Sequence, residues 1–107
     1  MSKISKKYRD WRKTRDYRIW RAGVIRRDKR CQICNSLQNR HAHHIDSGSY
    51  FPELRFKLEN GICLCKGCHI QYHTNFNRSY RVKTTRYNLE NFKALSKYMK
   101  ELFNGKI

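Results

Sequence analysis

The chain has 107 residues, 38% of them hydrophobic, which predicts one small domain with a limited apolar core. Its 25 lysines and arginines against eight acidic residues give a formal charge of +17 at pH 7. Such a field attracts polyanions, so nucleic acid is the expected partner. A membrane surface is the alternative, and the lack of a long apolar run in the sequence argues against it.

The first 30 residues are the most basic part of the chain, with 13 of the lysines and arginines against three acids. Residues 1–13 show no apolar period before Trp11, and we interpret them as a flexible basic arm that becomes ordered on a phosphate backbone. The alternative for this arm is a tail that only increases solubility.

A helix is predicted for residues 14–28. Tyr17, Trp20 and Val24 recur near helical spacing, and Thr14 is a suitable N-cap. We interpret the apolar stripe as core. The arginines of this helix could form a solvated face, but their number on one short helix favours contact with DNA phosphates. They are Arg15, Arg18, Arg21 and Arg26.

All five cysteines and all five histidines lie between Cys31 and His73. Two C-x-x-C pairs each offer two thiolates to one tetrahedral ion, which predicts a structural Zn²⁺ site. Paired C-x-x-C motifs without a signal-like N-terminal segment favour metal thiolates in a reducing cytoplasm over disulfides. The fifth cysteine, Cys63, is predicted to be a small buried apolar side chain. The predicted zinc ligands are Cys31, Cys34, Cys65 and Cys68.

The cysteine- and histidine-rich segment is predicted to form two strands and a helix, which makes the fold class α+β. The first strand is expected at residues 41–46 and the second near residues 61–64. A helix from about residue 65 to 75 would bring His69 and His73 to one face, one turn apart. The core that these elements form together with the preceding helix spans residues 14–76.

Residues 77–107 are predicted to be a basic linker and a C-terminal helix packed on the same domain. Asn88 is expected to cap the helix and Gly105 to end it. Its apolar stripe could pack on the domain or on a second copy in a homodimer. The linker region suits a DNA-facing loop and a plain connector about equally well. Its candidate DNA contacts are Arg78, Arg81, Lys83 and Arg86.

Taken in order, the first C-x-x-C, a His-His pair, an asparagine sixteen residues later and C-x-x-C-H with a further histidine resemble the HNH endonuclease family. The resemblance is to its zinc-containing branch, common among phage and homing nucleases, and it covers roughly residues 17–76. It implies a treble-clef-like ββα-metal fold with a core of His44, Asn60 and His69. It also implies that Asn60 is structural, with a side chain that ties the loop positioning the catalytic base. A bacterial or phage-infected host cell is the implied location.

The histidines suit a catalytic divalent ion as well. Three neutral imidazoles can hold such an ion and leave positions open for water and a substrate oxygen. We assign His43, His69 and His73 to Mg²⁺, Mn²⁺ or another transition metal. His44 is then the general base, because an ordinary histidine pKa of about 6.5 suits proton transfer near neutrality. The resemblance implies the same division of roles.

Adjacent residues of a regular strand point to opposite faces, so His43 and His44 can serve one site only where the strand is twisted or ends. By the same parity, His41 shares a face with His43. We interpret His41 as a surface histidine, with a substrate contact as the alternative. A further possibility is that a neighbouring histidine replaces one cysteine on the zinc ion, with Cys63 as a further substitute ligand.

Two functions follow from these patterns. The first is a metal-dependent HNH endonuclease that nicks or cleaves double-stranded DNA by phosphodiester hydrolysis, leaving 5′-phosphate and 3′-hydroxyl ends. The second is a non-catalytic, zinc-containing nucleic-acid-binding module. Charge and cysteines fit both, whereas an open histidine site is useful only to the enzyme. The sequence therefore favours the endonuclease.

Overall fold

A computed structural model of the chain describes residues 11–76 and 83–103. Over these residues the protein is a small α+β fold with three helices and one two-stranded sheet, so the predicted fold class is confirmed at this level. Three short 3₁₀ turns lie among the regular elements. In chain order these elements are α1 (Arg15–Asp28), β1 (Arg40–His44), β2 (Gly61–Cys65), α2 (Lys66–Phe76) and α3 (Arg86–Phe103).

Helix α1 begins where the sequence predicts. The Thr14 hydroxyl accepts the backbone N–H of Tyr17 at 3.2 Å, as an N-cap residue does. The helix ends at Lys29, whose φ of 68° turns the chain into the first cysteine pair. The neighbouring Asp28 carboxylate accepts the backbone N–H of Cys63 at 2.9 Å, which ties the end of α1 to strand β2.

The two strands pair antiparallel and separate the core into two layers. Ala42 lies opposite Cys63 in the register, and both pack with Trp20 and Val24 of α1 on one face of the sheet. The alternate residues of β2 point to the other face, as strand geometry requires. There they join a second cluster with residues of α2 and α3, namely Ile62, Leu64, Tyr72, Leu89 and Phe92.

Helix α3 differs from the prediction at its start. It begins at Arg86, and Asn88 is its third residue rather than its cap. The Asn88 side chain folds back and accepts the backbone N–H of Thr85 at 2.9 Å, as the third residue of a capping box does. The predicted end at Gly105 lies outside the described residues. Leu89 and Phe92, in the first part of the apolar stripe, are buried, whereas Leu95 and Met99 are exposed.

The N-terminal boundary also differs from the prediction. Trp11–Lys13 form a 3₁₀ turn, and Trp11 is only 6% exposed. The arm predicted for residues 1–13 therefore overlaps the folded part of the chain by three residues, while residues 1–10 lie outside the described part. The reason is that the Trp11 indole packs edge-on against Tyr17 and His44, a contact that no local periodicity reveals.

Gly61 sets the distance between α1 and the sheet. A Cβ at this position would collide with the Val24 side chain and lie 2.9 Å from the Trp20 ring. We therefore expect Gly61→Ala to lower the free energy of unfolding by about 1–3 kcal/mol, as overpacking of a core does. Urea denaturation followed by tryptophan fluorescence measures this change.

Gly23→Ala is the matched control. A Cβ there would meet the exposed Leu58 side chain, whose tip can move away. Because Gly23 lies inside α1, alanine should be neutral or stabilise the helix by up to about 1 kcal/mol. Equal unfolding midpoints for the two variants would show that Gly61 does not set the packing distance.

Candidate functional site

The first candidate centre is the cysteine cluster. Its four Sγ atoms lie within 4.8 Å of one another, and Cys34 Sγ is 3.6 Å from Cys65 Sγ. The first pair comes from the turn after α1, and the second pair comes from the end of β2 and the first turn of α2. The structure thus brings together the four cysteines that the sequence predicts, Cys31, Cys34, Cys65 and Cys68.

Backbone hydrogen bonds prepare these thiols for a metal. The N–H groups of Ile33 and Cys34 each donate to Cys31 Sγ at 3.4 Å. Burial raises the pKa of the Cys31 thiol, but the backbone hydrogen bonds outweigh it and bring the pKa down to about 7. For Cys68, burial and then the neighbouring thiols raise the pKa, because ionised thiols in close contact repel one another. A divalent cation removes that repulsion, so the cluster is suited to a structural metal such as zinc.

Cys63 is separate from this cluster. It is fully buried on the α1 face of the sheet beside Trp20, as the sequence predicts for a small apolar side chain. None of the five histidines belongs to the four-cysteine group. The alternative in which a histidine replaces a cysteine therefore finds no support among the described residues.

The second candidate centre is a histidine triad formed by His43, His69 and His73. One ring nitrogen from each lies within 4.8 Å of the others, and His69 Nε2 is 2.9 Å from His73 Nε2. β1 provides the first ligand, and α2 provides the other two from successive turns of one face, as predicted. Zn–N bonds of about 2.0–2.1 Å hold imidazole nitrogens of one ion about 3 Å apart, so this spacing fits a shared metal.

Burial keeps two members of the triad, His43 and His69, neutral. His43 is 3% exposed, and its Nε2 has no hydrogen-bond partner among the described residues, a situation that a bound ion would relieve. Burial, followed by the nearby His69 and His73, holds the His43 pKa well below its ordinary value. Burial and then His73 lower the pKa of His69 to about 3. Neutral imidazoles have free lone pairs, which is the state that binds metals.

His44 points to the opposite face of β1, toward α1. Trp20 stacks on its ring with a centroid distance of 4.0 Å and an interplanar angle of 8°, and Trp11 packs edge-on at 5.3 Å. His44 Nε2 lies 2.8 Å from the Arg55 carbonyl oxygen, so this nitrogen donates its proton and Nδ1 keeps a lone pair. Burial lowers the His44 pKa to about 4; the Arg12 and Arg55 charges also lower it, and the hydrogen bond opposes them.

His44 and the triad nevertheless line one pocket. They can do so because His44 is the last residue of β1, where the chain leaves the sheet. Gly48 lets the following loop approach, since a Cβ there would lie 2.9 Å from Trp11 and 3.2 Å from the His44 ring. The remaining residues of the pocket wall include Arg12, Tyr17, Ser47 and Thr84.

Asn60 ties the loop that supports His44. Its Oδ1 accepts the N–H of Asp46 at 2.8 Å, and its Nδ2 donates to the Asp46 and Leu54 carbonyls at 2.9 and 3.2 Å. Arg55, whose carbonyl oxygen holds His44, directly follows Leu54. The buried Asn60 amide thus holds together the two ends of the segment that orients the histidine.

His41 lies on the same face of β1 as His43, and it is half-buried against α2. Its Nδ1 is 3.1 Å from Nδ1 of His69, within hydrogen-bonding distance. Burial lowers the His41 pKa, and the Arg21 and Lys66 charges add to this effect. The expectation of a plain surface histidine is therefore wrong, because the ring is engaged with a member of the triad.

The arginines predicted to contact DNA on α1 are all exposed. Two of them also brace the backbone: Arg18 donates to the Lys13 carbonyl at 3.0 Å and Arg21 to the Arg40 carbonyl at 3.2 Å. Lys83 and Arg86 are exposed as well, whereas Arg78 and Arg81 lie outside the described residues. The structure therefore leaves these predicted contacts available without testing them.

Some residues of the site were missed by sequence reasoning. The Trp11 and Trp20 rings enclose His44, and the Arg55 carbonyl oxygen orients it. The helical spacing of Trp20 predicts a core residue, but His44, the ring on which it stacks, lies more than twenty residues away in the chain. Nothing local to Arg55 signals that its backbone oxygen faces a histidine.

Comparisons with known proteins identify no relative of this chain. No protein-family model, curated protein or solved structure matches the chain. None of the helices in residues 11–76 and 83–103 has the length and apolarity that crossing a membrane needs. The function must therefore be inferred from the two candidate centres and the charge of the chain.

The cysteine cluster leads to a prediction about zinc. Purified protein should contain one tightly held zinc per chain, and Cys65→Ser should lose both zinc and cooperative unfolding, because metal binding and folding are coupled in small domains. Elemental analysis and calorimetric unfolding measure the two losses. Cys63→Ala is the matched control and should keep its zinc at reduced stability. A zinc-free Cys65→Ser protein that unfolds cooperatively would disprove the structural role.

The depressed pKa of His44, about 4, predicts acid sensitivity. Between pH 6.5 and about 4 the unfolded chain binds a proton that folded His44 does not, so stability falls as the pH falls through this window. In His44→Gln the slope of unfolding free energy against pH should be shallower by up to about 1.4 kcal/mol per pH unit. Urea titrations across the upper part of the window measure both slopes.

Zinc content is measured at each pH of that series, because protonated thiols also release metal. Only points with full zinc occupancy enter the comparison. Equal slopes for wild type and His44→Gln would contradict a depressed His44 pKa in the folded protein.

Proposed function

We propose that the protein is a metal-dependent DNA endonuclease of the HNH type, with a ββα-metal site and single-ion chemistry. His43, His69 and His73 hold the ion, and His44 is the general base. The observation that supports this most directly is the shared pocket: a triad of clustered imidazoles and a separately oriented histidine line the same cavity. A binding module has no use for such an arrangement.

An all-imidazole triad fits a transition-metal ion such as Zn²⁺ or Mn²⁺ better than Mg²⁺, which prefers oxygen ligands. When bound, the ion supplies charge relief to the phosphoryl oxygens and to the leaving 3′ oxygen. Three ligands from the protein leave coordination positions for substrate and water, whereas the four cysteines close their own site. His43 provides the buried ligand from β1, and His69 and His73 provide the other two ligands from α2.

His44 is held in a form that accepts a proton. Its Nε2–H donates to the Arg55 carbonyl at 2.8 Å, and this leaves the lone pair of Nδ1 for a proton from the attacking water. Stacking on Trp20 restricts rotation of the ring. With a pKa of about 4 the ring is neutral near pH 7, and the negative charge of an incoming phosphate raises that pKa toward a more effective value.

The surrounding charge favours a phosphodiester. Arg12 lines the pocket, and both Arg12 and Arg55 are close enough to His44 to lower its pKa. Arg55 Nε donates to the Gly48 carbonyl, so Arg12 is the guanidinium proposed to form charge-assisted hydrogen bonds with phosphate oxygens in the pocket. The exposed arginines of α1 and the net charge of +17 extend this attraction to a longer stretch of double-stranded DNA.

The alternative is a non-catalytic, zinc-containing nucleic-acid-binding module. The cysteine cluster and the charge fit it equally well. It gives no reason for three clustered imidazoles, nor for a fourth histidine, His44, held by a backbone carbonyl beside them. We place the proposed endonuclease in the cytoplasm of a bacterium or a phage-infected cell, where it would act as a monomer or a homodimer.

A supercoiled-plasmid assay with Mg²⁺, Mn²⁺ or EDTA tests the proposal. Wild-type protein should convert the plasmid to nicked or linear DNA only when a divalent ion is added. His44→Ala should lower the rate by about 10²–10⁴-fold, the usual contribution of a general base, while DNA affinity is kept. His44→Gln is the matched control, because its amide can still donate to the Arg55 carbonyl but cannot act as the base.

The roles of the histidines are separated by metal titration. His69→Ala should lose metal affinity and activity together, and excess Mn²⁺ should partly restore cleavage, since added metal can refill a weakened site. His44→Ala should bind the ion normally and resist such rescue. If His44→Ala abolishes ion binding while His43→Ala keeps it, the two roles are reversed. DNA binding without cleavage under any metal condition would favour the binding module.

A further inference from the structure

We propose that His41 is a positioning residue of the histidine triad, and that it holds His69 in the tautomer that can bind the ion. This inference rests on the proposed function, because it assumes that the triad carries a metal. It assigns a task to the fifth histidine, which neither binds the ion nor acts as the base. The central observation is the 3.1 Å distance between His41 Nδ1 and His69 Nδ1.

The two nitrogens of His69 serve different neighbours. Nδ1 faces His41 on β1, with the two rings almost perpendicular at 89° and their centroids 5.3 Å apart. Nε2 faces the triad, 2.9 Å from His73 Nε2. The ring therefore lies between one nitrogen that makes a hydrogen bond outside the metal site and another that points to the shared metal position.

Metal binding decides the direction of that hydrogen bond. His69 can bind an ion through Nε2 only when this nitrogen has no proton, so the proton of the neutral ring must be on Nδ1. An N–H group in a largely buried ring needs an acceptor, and His41 Nδ1 is within reach. The opposite tautomer would place the proton on Nε2, where it would have to leave before the ion could bind.

The strand explains why His41 can do this. Residues two apart on β1 share a face, so His41 and His43 both point toward α2. His43 reaches the interior of the triad, whereas His41 meets His69 from the outer side. Of the described residues, those that line the pocket with His44 do not include His41, which argues against a substrate contact.

Metal affinity tests the inference separately from activity. The full chain is first loaded with zinc at the cysteine site, and a second equivalent of Zn²⁺ is then titrated by calorimetry. His41→Ala should bind this second ion about 10–100-fold more weakly, the usual effect of removing a partner of a metal-bound histidine. His41→Gln is the conservative variant; its side-chain oxygen can accept the His69 proton, so affinity should return to within a few-fold of wild type.

A spectroscopic signature comes from wild-type protein and needs no variant. Long-range proton–nitrogen correlation NMR of the protein with both Zn²⁺ sites filled should show the proton on Nδ1 of His69 and no proton on Nδ1 of His41. The His69 proton should exchange slowly with water, and the exchange should become faster in His41→Ala. A proton on Nδ1 of His41 in the Zn²⁺-bound protein would overturn the inference.

The two proposals fail differently. If His41→Ala binds the second Zn²⁺ as tightly as wild type while His69→Ala does not, the triad stands and the role of His41 is rejected. If neither His43→Ala nor His69→Ala weakens binding of the second ion, the triad itself is not a metal site. A folded His41→Gln protein as weak as His41→Ala would also reject the role of an acceptor.

Discussion

The side chains of β1 alternate between the two faces of a two-stranded sheet, and the site depends on this constraint. His43 and His44 are neighbours in sequence and belong to different layers of the protein. One is packed against α2 with the other triad members, and the other is stacked on α1. Because the strand ends at His44, the two rings meet again at a single pocket. Under the proposed function, the two adjacent histidines would perform chemically distinct tasks without competing for the same proton or ion.

The fold is small for the work proposed, and the cysteine cluster compensates for this. Two modest apolar clusters flank the sheet, and the turn that joins α1 to β1 has no regular structure of its own. Four thiols tie that turn to the start of α2. A metal bound there would stabilise a connection that apolar burial alone would leave weak in a chain of 107 residues.

The sequence predicts those features of the fold and the site that depend on residues close together in the chain. Thiol spacing identified the cluster, helical periodicity and Thr14 located α1, and one-turn spacing put His69 and His73 together. Sequence patterns do not reveal contacts between distant segments, such as the packing of the Trp11 and Trp20 rings on His44. It also misplaced the start of α3, since Thr85 and Asn88 are both good capping residues and only the fold distinguishes their positions. The resemblance to HNH nucleases remains an interpretation of motifs in their order.

Cys68 and His69 are consecutive residues of α2, and this adjacency has a consequence for the cell. A metal held by the four thiols would fix the first turn of the helix that presents two triad histidines. An oxidant that converts those thiols to a disulfide would release the metal and loosen the same turn that holds His69. Under the proposed function, oxidation of the thiols would then lower the rate of DNA cleavage although the histidines themselves are chemically unchanged. Oxidative stress would therefore inactivate the nuclease.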